Sequence, residues 1–282
     1  RVLFRSPVML INKNGTDSKR CVNQRIRRQN WPFPLVCDTI QKLGMSGCSV
    51  VSTLDLKEAF HSLHLDKRSQ QFTGIVSYYG GKSYFYKRLP MGSSVSPSEW
   101  QFYIKKLLDD IPDCRNFCIA HMDDLIIFSK SLPEHLEHLD LLLDGISKHG
   151  LKISPRKAKL CKTQVTYMGH IISVGEKGPC ISAMKSKCEA IRNLKVPSNS
   201  KEVRTFIGAV TYLSDYIPNL QLLRPLHKIS NKKSTFLWSE ECQACYDKIR
   251  SLLCQPPVLT MPRKSGTFIL YSDTSRFATG GT

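Results

Sequence analysis

Apolar positions recur along this chain in two rhythms. In "SPSEWQFYIKKLLDDI", Trp100, Ile104, Leu107 and Leu108 fall at helical spacing, and in "SLPEHLEHLDLLLDGISKHG" Leu136, Leu139, Leu143 and Ile146 do the same. Such spacing puts each set on one face of a helix. Ser96 or Ser98 is the expected cap of the first helix. Ser131 with Glu134 forms a capping box for the second, and Gly150 closes it. "CSVVSTLDL" is instead apolar and β-branched, which predicts a short buried strand ending near Asp55. "FTGIVSYYGGKSYFYKRL" reads as a hairpin around Gly80 and Gly81.

The same reading extends along the rest of the chain. "PVMLI" (residues 7–11) and "RCVNQ" (20–24) are expected strands joined by a turn at Asn14–Gly15. Pro32 and Pro34 keep "NWPFPLV" extended, and a helix through "DTIQKLG" is expected to close at Gly44. Beyond Lys157, short strands run through "VTYMGHIIS". Helical patterns follow near residues 183–194, 200–217 and 239–254, the second capped by Asn199 with Glu202. "TFILYSD" is an alternating strand that ends in Asp273. Strands and helices mix without regular βαβ alternation, which argues for an α+β first half and a mainly helical second half.

One stretch fits this pattern badly. "FCIAHMDDLIIFS", residues 117–129, reads as strand, two-residue tip and strand, with Asp123 and Asp124 at the turn. Burying two adjacent carboxylates is costly, because like charges resist joint ionisation and desolvation penalises the charged form. A second doublet, Asp109–Asp110, lies at a helix end and reads as solvated; only Asp123 and Asp124 have apolar strands on both sides.

Composition narrows the chemistry. At 282 residues the chain can build two to three subdomains with a real core. No apolar run reaches the roughly 18 to 20 residues that cross a bilayer. The opening "RVLFRSPVML" has neither an initiator Met nor a signal pattern, so a piece of something longer is expected. Forty-one Lys plus Arg against twenty-three Asp plus Glu give a net charge of +18. That excess points to a polyanion, and its spread along the chain suits a long channel better than a tail. The eleven cysteines are an odd number in a chain without a secretory signal, which favours reduced thiols. Cys242 and Cys245 form the only C-x-x-C, with no second pair to complete a zinc site. His135, Glu137 and His138 match no metal-binding helix pattern and read as solvated face residues.

Paired carboxylates at strand ends suit two-metal phosphoryl transfer, in which two Mg²⁺ ions sit roughly 3.5 to 4 Å apart. Mg²⁺ takes oxygen ligands, and its charge offsets the repulsion within the pair. Asp55 ends one expected strand, so Asp55, Asp123 and Asp124 are the candidate ligands.

The order of "STLDLKEAFHSLHLD", "RLPMGSSVSPSEWQ", "HMDDLIIFS", "GLKISPRKAKL" and "YMGHIIS" resembles that of retroelement reverse transcriptases. "SPVMLI", "CVNQR", "EHLEHL" and "VRTFIGAVTYLSDYI" look like the gypsy-type long-terminal-repeat retrotransposons, over essentially the whole chain. The resemblance implies an α+β right-hand polymerase with fingers, palm and thumb. Residues 1–175 would hold fingers and palm, 176–235 a helical thumb-like region, and 236–282 the connection and the start of a ribonuclease H-like domain.

Residue by residue, the resemblance makes Asp55, Asp123 and Asp124 the metal ligands. Phe60 falls on the steric gate that excludes a ribose 2′-hydroxyl, with an ordinary core Phe as the alternative. Met91 and Gly92 lie where the family contacts incoming nucleotide and template. Lys19 matches the finger residue that grips the triphosphate, with Lys13 and Arg20 nearby. Lys157 resembles the lysine that protonates pyrophosphate, with Lys159 as a rival. Met168, Gly169 and His170, in "YMGH", look like the primer grip, and Asp273 like the first carboxylate of a ribonuclease H domain whose other acids are absent. Ribonuclease H activity is therefore not expected from this chain alone. Two departures stand out: His121 replaces an aromatic before Met122, and Asn23 and Gln24 replace Asp and Tyr.

The implied function is RNA-directed DNA polymerisation with Mg²⁺, or Mn²⁺ in its place, acting on dNTPs and an RNA or DNA template-primer. The alternative is a decayed or domesticated element that binds nucleic acid without copying it. Other implied partners are the protease, ribonuclease H and integrase of a parent polyprotein, with a dimer as an assembly to test. No membrane role is implied; the expected location is a cytoplasmic virus-like particle or the nucleus.

Overall fold

The computed structural model describes residues 31, 33–34, 36–76, 83–175, 178–231, 236–254, 256–262, 267, 272–274 and 279–281. The expected strands at 7–11 and 20–24 and the turn at Gly80–Gly81 lie outside these residues.

The chain begins its described course with α1 (Val36–Ser46), β1 (Val50–Lys57) and two single-turn helices, α2 (Ala59–Ser62) and α3 (Lys67–Gln70). The pair β2 (Gly74–Val76) and β3 (Ser83–Phe85) follows, then α4 (Ser96–Asp109), the short α5 (Cys114–Phe117), β4 (Cys118–His121) and β5 (Asp124–Ser129). Next come α6 (Leu132–Lys148), β6 (Lys152–Ile153), β7 (Lys159–Lys162), β8 (Gln164–Tyr167), β9 (His170–Ser173) and β10 (Cys180–Ala183). The later part holds α7 (Lys185–Arg192), α8 (Ser200–Thr211), α9 (Arg224–Ser230), α10 (Glu240–Leu252), β11 (Leu259–Thr260), β12 (Ser272–Thr274) and β13 (Thr279–Gly281).

The first sheet has the order β4-β5-β1-β6, with β7 also on β1. Its two faces are both covered, which explains why Leu125 to Phe128 form an unbroken apolar run instead of an alternating one. Leu54, Leu56, Cys118, Ala120, Leu125 and Ile127 pack against Trp100, Ile104 and Leu107 of α4 and Leu139, Leu142 and Ile146 of α6. On the opposite face, Val51, Ile119, Ile126 and Phe128 pack into a core shared with the second sheet and helices α7 to α10. Each fully buried Val, Leu, Ile or Phe among them contributes about 1.5–3 kcal/mol. The second sheet runs β11-β10-β9-β8. Among the described residues no helix is long and apolar enough to cross a membrane.

Several local expectations change. The helix through "DTIQKLG" runs past Gly44 to Ser46 and is stopped by Gly47, whose φ is 65°. Gly44 lies inside it because Met261 and Pro262 press so close that a Cβ there would collide with the Pro262 carbonyl. Val95, not Ser96 or Ser98, caps α4 without a side-chain bond, and the Ser96 hydroxyl donates to Pro90 O at 2.7 Å. At the start of α6, Ser131 Oγ accepts from Glu134 N as a cap requires, but Glu134 Oε2 takes the N–H of Lys130 at 2.7 Å. Asn199 caps α8 through the N–H groups of Lys201 and Glu202, as expected.

The buried face of α6 is His135, Leu139, Leu142 and Ile146, while Leu136 and Leu143 are exposed. His135 is therefore a core residue, correcting its reading as a solvated one. Its ring bridges Ser52 Oγ of β1 (2.6 Å) and Ser129 Oγ of β5 (2.8 Å), so α6 hydrogen-bonds to two strands of the sheet. His138 is half-buried as well, with Nδ1 2.8 Å from Ser129 Oγ and its ring stacked on Phe117.

Candidate active site

The tip of the β4–β5 hairpin is Met122–Asp123, and Asp124 is already the first residue of β5. Asp124 is the direct cross-strand partner of Asp55 on β1 and, on its other side, of His121 on β4. Directly opposed residues of an antiparallel sheet share a face. His121, Asp124 and Asp55 thus form a row across three strands, on the face that Val51, Ile126 and Phe128 present to the second core. Asp123 and Asp124 are exposed, whereas the Asp55 side chain is only 18% exposed.

The turn is held unusually firmly. Met122 has a φ of 58°, a left-handed conformation that costs a non-glycine residue about 1–3 kcal/mol. Trp100 Nε1–H donates to Met122 O at 2.8 Å, and Met122 N–H donates to Gln101 Oε1 at 3.1 Å. Gln101 Nε2 donates in turn to Ala120 O at 3.3 Å, and Leu56 N–H of β1 donates to Asp123 O at 2.9 Å.

Charge is crowded at this point. Desolvation, reinforced by Asp123 and Asp55, raises the Asp124 carboxyl above its ordinary pKa, with His121 and Lys157 opposing. The Lys157 ammonium donates to Asp55 Oδ1 at 3.0 Å, and this bond, with the charge of Asp55 and then of Asp123 and Asp124, raises its own pKa. Of the two candidate lysines, Lys157 is the one that contacts Asp55; Lys159 is exposed on β7.

Among the described residues no group of three His, Cys, Asp or Glu side chains is set as a ready cation cage. The donor chemistry of Asp55, Asp123 and Asp124 nevertheless fits a hard divalent ion: oxygen ligands only, with negative charge that a cation would relieve.

Phe60 on α2 is half-buried, edge-on to Trp100 with ring centroids 6.4 Å apart, and packs against the small cluster of Leu65, Leu89 and Val95. Met91 and Gly92 are exposed in the turn before α4, with Gly92 at a φ of 90°. Beside them the Ser93 hydroxyl is buried with no hydrogen-bond partner among the described residues. Lys13, Lys19, Arg20, Asn23 and Gln24 lie outside the described residues. Asp273 falls on β12, opposite Gly280 of β13.

The expected grip residues form the β8–β9 turn, where Met168 and Gly169 have φ of 48° and 75°. Tyr212 Oη donates to Met168 O at 2.7 Å. The same hydroxyl lies so close to Gly169 that any Cβ there would collide with it. His170 is 3% exposed. Its Nδ1 is 2.8 Å from the Tyr216 hydroxyl and its ring stacks on Tyr212, so it backs the hairpin from inside while Met168 and Gly169 stay half-exposed. Tyr167 Oη donates to Asp124 O at 3.5 Å, which ties this hairpin to the carboxylate row.

Sequence reasoning read Trp100 as a helix-face position and gave Gln101 and Tyr212 no role, while Tyr167 stood within the expected grip segment "YMGH" without its bond to Asp124 being foreseen.

Residues 7–172 match the family described as reverse transcriptase (RNA-dependent DNA polymerase), and residues 238–282 match the RNase H-like domain found in reverse transcriptase. The chain is 28% identical over 289 residues to the retrovirus-related Pol polyprotein from transposon 297 of Drosophila melanogaster, covering 98% of the chain and 26% of that polyprotein. It is 29% identical over 282 residues to the transposon Tf2-7 polyprotein of Schizosaccharomyces pombe, covering 97% of the chain and 20% of the relative. The chain thus spans a small part of the length of these relatives. Among solved structures, a foamy viral protease-reverse transcriptase in complex with dsDNA superposes with a TM-score of 0.75 at 22% identity, over 91% of this chain and 52% of that one. The same viral protein with an RNA/DNA hybrid gives 0.73 at 22% identity, over 91% and 34%. These structures share its fold.

Proposed function

The chain belongs to the reverse transcriptase (RNA-dependent DNA polymerase) family, and from that premise we propose that it extends a primer 3′-hydroxyl with dNTPs on an RNA or DNA template. The observation that carries this reading is the direct pairing of Asp55 with Asp124, with Asp123 at the adjoining turn. Asp55, Asp123 and Asp124 would hold two Mg²⁺ ions, with Mn²⁺ as a substitute. Bound there, such ions supply activation of the 3′-hydroxyl and stabilisation of the departing oxygen.

The chain's own residues do the rest. Lys157, protonated and anchored on Asp55, is placed to give a proton to pyrophosphate. The β8–β9 turn, attached to Asp124 through Tyr167, positions the primer end, with Met168 and Gly169 as the accessible part. Phe60, edge-on to Trp100 beneath the turn, would act as the barrier to a 2′-hydroxyl. The net charge of +18 supplies the attraction for the nucleic-acid backbone. The foamy viral complexes with dsDNA and RNA/DNA hybrid support the same partners here.

Primer extension on an oligonucleotide-primed RNA template tests this directly. Wild type should extend in Mg²⁺, and Asp123→Asn and Asp124→Asn should bind the same template without extending it. A wild-type protein that binds template-primer yet adds no nucleotide would leave a nucleic-acid binder in place of a polymerase.

A further inference from the structure

Trp100 and Gln101 are neighbours on α4, both buried, and nothing in the chemistry above uses them. Their side chains nevertheless converge on one residue. The peptide groups on either side of Met122 are both taken: its carbonyl by the Trp100 indole N–H, its N–H by the Gln101 carbonyl oxygen. The second arm of Gln101 reaches back to Ala120 O, one residue before the row begins. A left-handed Met has no intrinsic preference for its conformation, so the bonds that satisfy both of its peptide groups select it.

Met122 immediately precedes Asp123 and Asp124. A rotation of its peptide groups would swing the Asp123 carboxylate relative to Asp55 and Asp124, which the β1–β5 pairing holds against each other. The helix that carries the two clamping residues is itself fixed by Ile104, Leu107 and Leu108 in the core beneath the sheet. The Trp100 ring also lies edge-on to Phe60, so one side chain touches both the turn and the expected gate.

We propose that Trp100 and Gln101 are positioning residues for Asp123: by binding both peptide groups of Met122 they set where its carboxylate stands relative to Asp55 and Asp124, which the sheet already pairs. The proposal rests on the polymerase reading for its effect on rate. The geometry predicts an effect on cation binding as well, which can be read without turnover.

The test uses Trp100→Phe, which keeps an aromatic ring but loses the donor, and Gln101→Met, which keeps length but loses both polar atoms. Trp238→Phe is the control, because its Nε1 donates to Gln243 Oε1 at 2.9 Å in the other core. Single-nucleotide incorporation gives kcat and the KM for dNTP, electron paramagnetic resonance of added Mn²⁺ gives cation affinity, and thermal melts report folding. Both clamp variants should lose about 10–100-fold in kcat and in Mn²⁺ affinity, the range for residues that orient metal ligands. KM for dNTP should hold, and Trp238→Phe should change neither kcat nor Mn²⁺ affinity.

Wild-type kcat and Mn²⁺ affinity in both clamp variants would overturn the proposal while leaving the polymerase reading intact; so would equal losses in Trp238→Phe. If wild type itself fails to extend, the polymerase reading falls and the Mn²⁺ titration alone decides: weakened binding in the clamp variants supports positioning, unchanged binding refutes it. Should Trp100→Phe not fold, Gln101→Met carries the decision.

Discussion

Lys157 Nζ lies 3.0 Å from Asp55 Oδ1, so the loop between β6 and β7 is joined to β1 by an ion pair at one end of the row that Asp55, Asp124 and His121 form. The lysine is 66% exposed, so the pair should contribute little to stability. Lys157→Met should leave the melting temperature nearly unchanged and slow nucleotide incorporation by about 10²–10⁴-fold, the range for loss of a general acid. Lys159→Met should stay near wild type. Rapid-quench incorporation assays check both; an equal loss from Lys159→Met would reassign the proton donor.

Phe60 is half-buried, and its ring lies edge-on to Trp100. As a gate, Phe60→Val should raise incorporation of rNTP relative to dNTP while dNTP incorporation persists. As a core residue, the same substitution would lower the melting temperature and slow both substrates alike. The ratio of kcat/KM for the two nucleotides separates these outcomes.

Gly169 combines a φ of 75° with the Tyr212 hydroxyl directly over its missing Cβ. Gly169→Ala should therefore cost about 1–3 kcal/mol, from backbone strain and the collision together. It should also weaken template-primer use by displacing Met168. Tyr212→Phe removes only the bond to Met168 O, so it should give a smaller stability loss and a similar rise in KM for template-primer. Chemical denaturation and steady-state kinetics measure the two effects.

His135 should make folding sensitive to mild acid. The N–H of Cys161 donates to Ser52 Oγ at 2.9 Å. Every group is satisfied if the Ser52 hydroxyl donates to His135 Nε2, His135 Nδ1–H donates to Ser129 Oγ, and the Ser129 hydroxyl donates to His138 Nδ1. Burial, then the nearby His138, lowers the His135 pKa, with Glu134 opposing; burial also lowers that of His138, with Glu134 and Glu137 opposing. A histidine whose folded pKa is depressed stays neutral in the folded state while the unfolded chain takes up protons. Stability should thus be at its full value above the ordinary histidine pKa of about 6.5, fall as pH drops through it, and level off below the lowered folded values. Melting curves across that window should show the fall, and His135→Gln should flatten it; a pH-independent wild type would refute the network.

Much of this site was legible beforehand because its residues sit where local rules break. Asp123 and Asp124 interrupt an apolar run, and Asp55 lies near the end of a buried strand that runs on to Lys57. Their register was not legible to the residue: the tip is Met122–Asp123, because pairing is fixed by Asp124 meeting both Asp55 and His121. His135 was misread for a related reason. A polar side chain on a helix is usually solvated, and only the distant Ser52 and Ser129 make its burial tolerable. The clamp of Trp100 and Gln101 left no trace in the pattern, since a core Trp looks the same whether or not its N–H holds a turn.

Gly44 against Pro262 has a consequence for the order in which the protein is made. The ribosome delivers α1 first, but the segment that closes over it, with Met261 N–H on Pro179 O and Leu259 on Ile181, emerges only after everything between them has been made. At roughly 5–20 residues per second, the wait is on the order of ten to forty seconds, during which α1 lacks Met261 and Pro262 against Gly44. Vectorial synthesis therefore leaves an apolar helix face in need of a temporary cover, and packing around α1 should be completed only once residue 262 has cleared the exit tunnel.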